Sequence, residues 1–296
     1  MVRMFSWPDD TPEGKHGIAR GEPLKALADS GNQDQTVVSH LRSLYRYRNL
    51  LWLWTLREIR VRYKQSALGA AWAVLQPLSM MIVFTVVFSR LARMPSDGVP
   101  YPIFSYIALL PWTFVAASVG LGVPSLVNNL NLVTKTYFPR EILPIASVGA
   151  SFFDFLVAST VFLGMLVFYR IPLTWNMTWI PVLVMLQIFL AFGIVLLGSA
   201  INVLYRDVRF VVPLGLQIWL YATPVIYPVS LVPESVRPYY MLNPMAGIVD
   251  SYRRVILYAE PPIWSNLISA TALTGILFVV GYYLFKRLEV TFADII

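Results

Sequence analysis

The chain has 296 residues, 57% hydrophobic and only 13% charged, with 23 Lys and Arg against 16 Asp and Glu. Soluble domains carry roughly 25% charged residues, and a mean hydropathy of +0.63, with charge gathered in the first 66 residues and in short breaks between apolar runs, is the pattern of a polytopic membrane protein. The absence of cysteine excludes disulfides and thiolate metal sites, and the two histidines, His16 and His40, sit in the polar N-terminal part, which excludes a histidine centre inside a membrane.

Residues 1–40 are rich in Pro, Gly, Asp and Ser and carry no apolar period. They read as a largely disordered cytosolic tail. The first residues lack the 7–15-residue apolar run of a secretory signal. Residues 41–66 read as an amphipathic interface helix. Trp52, Leu56, Ile59 and Tyr63 follow one helical stripe, and Arg57, Arg60 and Lys64 follow another. Glu58 and Arg62 stand four apart, in the favourable order for an ion pair. The aromatic residues would sit at headgroup depth, while the basic side chains, Arg62 included, reach towards water and anionic lipid. A basic anchor with no further role explains the same residues. Gly69 then lets the chain turn into the membrane.

Residues 67–296 form the membrane domain. A helix needs about 20 apolar residues to cross the hydrocarbon. Six segments qualify, at about 67–88, 101–127, 143–169, 179–204, 210–227 and 263–285. The fifth is the shortest and is bounded or broken by Pro213 and Pro224. The expected fold is therefore an all-α integral membrane protein of six transmembrane helices. With the N-terminus inside, 17 of the 23 Lys and Arg fall on cytosolic pieces, so the positive-inside rule puts both termini in the cytosol.

Three breaks and one acid carry the remaining signals. Between the second and third segments, Leu126, Leu130, Val133 and Tyr137 share a helical face, Ser125 is a candidate N-cap and Pro139 stops the helix. This piece presents either an apolar-aromatic knob for a protein groove, with Lys135, Phe138 and Arg140 beside it, or a connecting helix on lipid headgroups. Asp154 is the one ionisable residue well inside a span, where a carboxylate faces a bundle interior or a wet path, or is hydrogen-bonded locally near Ser151. Arg206, Asp207 and Arg209 join the fourth and fifth segments with almost no loop. Asp207 reads as a helix cap and the arginines as topology markers, or as part of a docking face. After the fifth segment, Met245–Tyr258 carries Ile248, Tyr252, Val255 and Ile256 at helical spacing, behind prolines at 228, 233, 238 and 244. Short re-entrant helices before the last span fit this stretch; an interfacial hairpin is the other reading.

No G-x-x-x-x-G-K-[ST] occurs, so the chain lacks a phosphate-cradling loop of its own. The carboxylate or histidine cluster that a membrane-bound sugar transferase would need is missing as well. An ion-coupled secondary transporter would want inverted repeats and more polar residues near the midplane. A transport subunit powered by a partner fits best.

Seven stretches in order are similar to the membrane subunit of a polysaccharide-export ABC transporter of the O-antigen type. They are RVRYKQSALGAAWAVLQP, LLPWTF, LVTKTYFPREILP, LYRDVRF, TPVIYP, LNPMAGIVDSYR and FKRLEVTFAD. The resemblance implies a permease rather than an enzyme, in the bacterial inner membrane. It implies a homodimer of this chain with two copies of a separate ATPase that binds ATP and Mg, and no cofactor in this chain. Membrane lipids surround it, and no nucleic acid takes part. The cargo would be a lipid-linked polysaccharide; capsule and teichoic acid exporters share the layout. Segment 126–140 would couple to the ATPase, through Lys135, Tyr137, Phe138 and Arg140, with Arg206 and Asp207 nearby. Aromatic rings stack on the C–H faces of sugars, which makes Trp112, Phe114, Phe152, Phe153, Phe155, Trp219 and Tyr221 candidates for the channel wall. Interfacial belts and helix packing are the competing roles for each.

Overall fold

A computed structural model describes residues 45–64, 66, 68–135, 138–289 and 292. The expected tail at 1–40, Tyr137 and the side chain of Lys135 lie outside the described residues. Among the described residues every regular element is helical. Helix α1, Arg48–Tyr63, lies within the stretch 41–66 read as an interface helix. Gly69 follows with φ +51°, a left-handed conformation that costs glycine nothing, and opens a single 3₁₀ turn, Gly69–Ala71. Helix α2, Trp72–Phe84, continues as a π-helix over Thr85–Leu91. Helix α3 is Tyr101–Gly122, and two short helices follow, α4 at Ser125–Asn128 and α5 at Leu130–Lys135. Then come α6, Ile142–Phe168, α7, Ile180–Leu204, and α8, Val208–Tyr221. The chain ends in α9, Arg237–Tyr240, α10, Pro244–Ile256, and α11, Trp264–Glu289.

Among the described residues, five stretches are long and apolar enough to cross a membrane: Gly69–Leu91, Tyr101–Gly122, Ile142–Phe168, Trp175–Leu204 and Trp264–Glu289. The expected fifth span is instead the 14-residue α8. At 1.5 Å per residue it covers about 21 Å, short of a hydrocarbon core about 30 Å thick. Its end has a local cause. Pro224 offers no N–H and pushes Thr223 away from helical geometry, and the backbone leaves the helix in a turn from Ala222.

The bundle is built around α3. Proline begins this helix at a position where no N–H is needed, and Pro111 is accommodated in its interior. Ile103, Phe104, Tyr106, Ile107, Leu109 and Val115 are fully buried. Helices α2, α6, α7 and α10 pack on α3, while α11 packs along α7. Outward faces remain oily: Val167, Phe168 and Leu173 are exposed, as are Ile82, Val86 and Leu91 of the α2 segment. Such an exterior suits hydrocarbon rather than water. Helix α10 does not lie on the surface: ten of its residues are buried and it packs against α3, α7 and α11. The four residues read as one helical face, Ile248, Tyr252, Val255 and Ile256, are all inside.

Helices α7 and α11 meet backbone to backbone. A Cβ on Gly281 would stand 2.3 Å from the Gly193 carbonyl oxygen, and one on Gly193 would stand 2.7 Å from the Phe278 nitrogen. Small residues at helix contacts permit this approach in membranes, where packing rather than water expulsion drives association. Gly281→Ala should therefore destabilise the purified protein by about 1–3 kcal/mol through overpacking, read as a lower unfolding midpoint in a detergent thermal-shift assay. Gly275→Ala, on the same helix with nothing within 4 Å of the added Cβ, should leave the midpoint unchanged.

Candidate functional site

A cavity of about 790 Å³ opens between the end of α1, the start of α2, the middle of α3 and the middle of α6. Its position follows from α1, which packs along α6. A Cβ on Gly149 would press on the Thr55 side chain at 3.0 Å, so glycine there lets the two helices close up. Two turns further on, the Arg62 guanidinium forms an ion pair with Asp154, and the Tyr63 hydroxyl donates to the other carboxylate oxygen. The acid inside the span is thus held from outside its own helix, by two side chains of α1, and local bonding near Ser151 does not supply its partners. Ser151 Oγ donates instead to the Ser147 carbonyl at 3.1 Å. Burial presses the Arg62 pKa downward, and the carboxylate opposite is what makes a cation tolerable there.

The expected Glu58–Arg62 pair does not form. Glu58 turns to Arg57 at 3.3 Å, and Arg57 also lies over the Trp54 ring at 4.3 Å and reaches Asn129 Oδ1 at 3.4 Å. Arg60 and Lys64 are exposed. The sequence held a signal for this: Thr55, Ile59 and Arg62 form a third stripe of α1, separate from the basic one, and this stripe meets α6.

The aromatic candidates divide. Trp112, Phe114 and Phe155 line the cavity, though Trp112 and Phe114 are themselves nearly fully packed. Phe152 stacks on Phe155 at 5.8 Å between centroids and meets Phe114 edge-on at 6.1 Å. Trp219 stands edge-on to Trp112 at 5.4 Å and donates to Asn243 Oδ1 at 2.9 Å. Phe153 and Tyr221 are exposed and outside the cavity wall. Trp72, absent from the candidates, lines the cavity with half of its surface open, next to Gln76.

At one end of the bundle the segment after α3 takes a different form from the single helix expected. Asn129, at φ −114° and ψ 33°, breaks it into α4 and α5. Pro124 occupies the N-cap position, and Ser125 donates its hydroxyl back to the Gly122 carbonyl at 2.6 Å. Of the expected apolar face, Leu126 and Val133 are buried in this chain and Leu130 is half-buried; Phe138 beside it is buried as well. Arg140 bonds through its backbone N–H to Glu289 at 3.2 Å, through its guanidinium to the Glu289 carbonyl, and lies 6.0 Å from the Phe292 ring. Lys286 joins Glu141 and Glu289. Burial raises the Glu141 pKa, with Lys286 pulling the other way. The end of α11 is thereby tied to the segment that follows α5. Arg206 and Asp207 stay exposed, and Asp207 starts α8 without a side-chain cap bond.

The other end is organised by Arg253, which lies within the stretch read as re-entrant, a reading that gives it no role. It is buried, its ring neighbour Phe104 lies at 3.6 Å, and it carries no carboxylate pair among the described ion pairs. It donates to the carbonyls of Pro224 at 2.6 Å, Val225 at 2.9 Å, Tyr227 at 3.1 Å and Phe104 at 3.4 Å. The first three belong to the backbone that leaves α8, and the fourth lies in α3.

Set against known proteins, residues 49–257 match the family model described as ABC-2 type transporter. The chain is 32% identical over 257 residues to the O-antigen export system permease protein RfbA of Myxococcus xanthus, covering 86% of this chain and 98% of that one. It is 30% identical over 250 residues to the protein of the same name from Klebsiella pneumoniae, covering 84% and 95%. The Polysialic acid transport protein KpsM of Escherichia coli is 21% identical over 216 residues, 68% of this chain and 79% of that one.

Arg253→Lys keeps the charge but offers three donors on a point instead of five on a planar fork. It should cost about 2–4 kcal/mol, because buried carbonyls lose their partners. A sharp fall in monodisperse protein by size-exclusion chromatography would register that loss, and Arg254→Lys at the exposed neighbour should not reproduce it.

Proposed function

The chain belongs to the ABC-2 type transporter family, and from that premise we propose that it is the membrane channel subunit of an ATP-driven exporter moving an O-antigen-like, lipid-linked polysaccharide out of the cytosol. The observation that carries this reading is the extent of the likeness to the Myxococcus permease, which spans nearly the whole of that protein. The weaker likeness to the polysialic acid transport protein makes a capsular glycan the alternative cargo.

In this reading two copies of the chain pair in the bacterial inner membrane and two copies of a separate ATPase, which binds ATP and Mg, dock beneath them. Both termini would be cytosolic, the orientation that the bias of Lys and Arg favours. Helix α8 serves as the short fifth crossing, and α9 and α10 are the re-entrant pieces at the outer side. Irregular backbone at that depth is tolerated where protein buries it, which the carbonyl contacts of Arg253 support. The inner end is the coupling face. Segment 125–141 would receive the ATPase, and the bonds from Arg140 and Glu141 to the end of α11 would carry its movement to the last span. The aromatic wall gives sugars weak, repeated contacts, as a conduction path needs.

Two measurements test this. Gently solubilised native complex should contain one further stoichiometric subunit and hydrolyse ATP, whereas the purified chain alone should not; a complex without nucleotide dependence would overturn the reading. Phe155→Ala should lower surface glycan several-fold at unchanged protein level, scored by glycan blotting of intact cells.

A further inference from the structure

We infer that Asp154 is a saccharide-binding residue: its carboxylate, held by Arg62 and Tyr63, accepts hydrogen bonds from a pair of sugar hydroxyls in the α1–α2–α3–α6 cavity, with the Trp72 ring as the stacking surface. This rests on the export reading and names the chemistry of its loading site. A carboxylate offers about four lone-pair positions. Arg62 and Tyr63 take one on each oxygen, which leaves one on each oxygen open. The openness is physical: the Asp154 side chain keeps 19% of its surface and Arg62 24%, and both face the cavity. Two acceptors on one planar group match two neighbouring hydroxyls. The cavity also supplies what a sugar needs besides an acceptor. Trp72 lines the cavity and is not packed over by the rest of the chain, so its ring offers an apolar surface for axial C–H bonds. Gln76, on the same wall, adds an amide that both donates and accepts.

The ion pair itself explains why the acid can be used. An unpaired carboxylate in a span would take up a proton or disrupt the helix. Arg62 supplies the counter-charge, and Tyr63 donates to the second oxygen. A purely structural pair would be better shielded than this one. The charges of Arg62 and Asp154 offset each other, so the site carries no net cation to select a phosphate and suits a neutral hexose.

The test uses the full complex with its ATPase and separates the carboxylate from the pair. Asp154→Asn should reduce export roughly tenfold or more, as loss of charged acceptors does, and Asp154→Glu should keep most of it. In the double variant Arg62→Asp with Asp154→Arg the pair is rebuilt with the carboxylate moved to α1. This variant should assemble and unfold like the native complex yet export at or below about a tenth of its rate, since the acceptor has left the α6 wall. Full export by the swapped pair would make the pair structural only and overturn the assignment. Should the swapped protein fail to assemble, saturation-transfer NMR on the native complex decides, with neutral manno-, galacto- and gluco-configured tetrasaccharides as probes. Transfer to at least one, weakened by Trp72→Ala, supports the site, and transfer to none overturns it. A deletion strain that keeps its surface glycan would sink the export reading instead, which the variants alone cannot do.

Discussion

Within hydrocarbon a backbone carbonyl without a donor is costly, and this fold is arranged around meeting that requirement where its helices stop. Helix α8 ends before Pro224, and the chain must return through non-helical backbone. Arg253 supplies the donors, reaching three carbonyls of the return and one of α3 with a single side chain. Only arginine combines that many donors with a flat surface to lie against Phe104. The same bonds seat α10 among α3, α7 and α11. A buried polar contact thus sets the path of some forty residues that neither hydropathy nor propensity would place.

Among the described residues, two ion pairs join parts of the chain far apart in sequence. Asp154 of α6 meets α1, and Glu141 meets Lys286 of α11. Such pairs contribute little net stability against an apolar substitute, but they fix one arrangement because leaving either partner alone is costly. The two pairs bracket the inner half of the bundle. One holds the interface helix beside the cavity, and the other holds the last span to the segment after α5.

The helical character and five of the spans were legible because hydropathy sums over many residues and tolerates local error. The short fifth segment was flagged by Pro213 and Pro224, yet the carbonyls beyond its end are met by Arg253, nearly thirty residues later, a partner that no local pattern assigns. Periodicity grouped Leu126, Leu130 and Val133 on one face, but a face has no direction until its neighbours are known; Leu126 and Val133 point inward. Asp154 stood out in the sequence as an expensive residue, while its partner lay 92 positions away, beyond any local pattern. The aromatic candidates were chosen by type, and type does not separate a ring on a cavity wall, such as Trp72, from one packed behind it, such as Phe152.

The burial of α10 has a consequence for how the protein is made. Its walls are α3 and α7, synthesised before it, and α11, which follows it. Gly247 fits against Ala270 and the Asn266 carbonyl, so the seat is incomplete until the last helix has left the ribosome and entered the bilayer. For that interval Asp250 lacks Asn266, its hydrogen-bond partner on α11. The final insertion event therefore completes two structures together, the last crossing and the packing of the segment before it. Quality control that senses exposed charge in the membrane would read a chain truncated before Trp264 as unfinished.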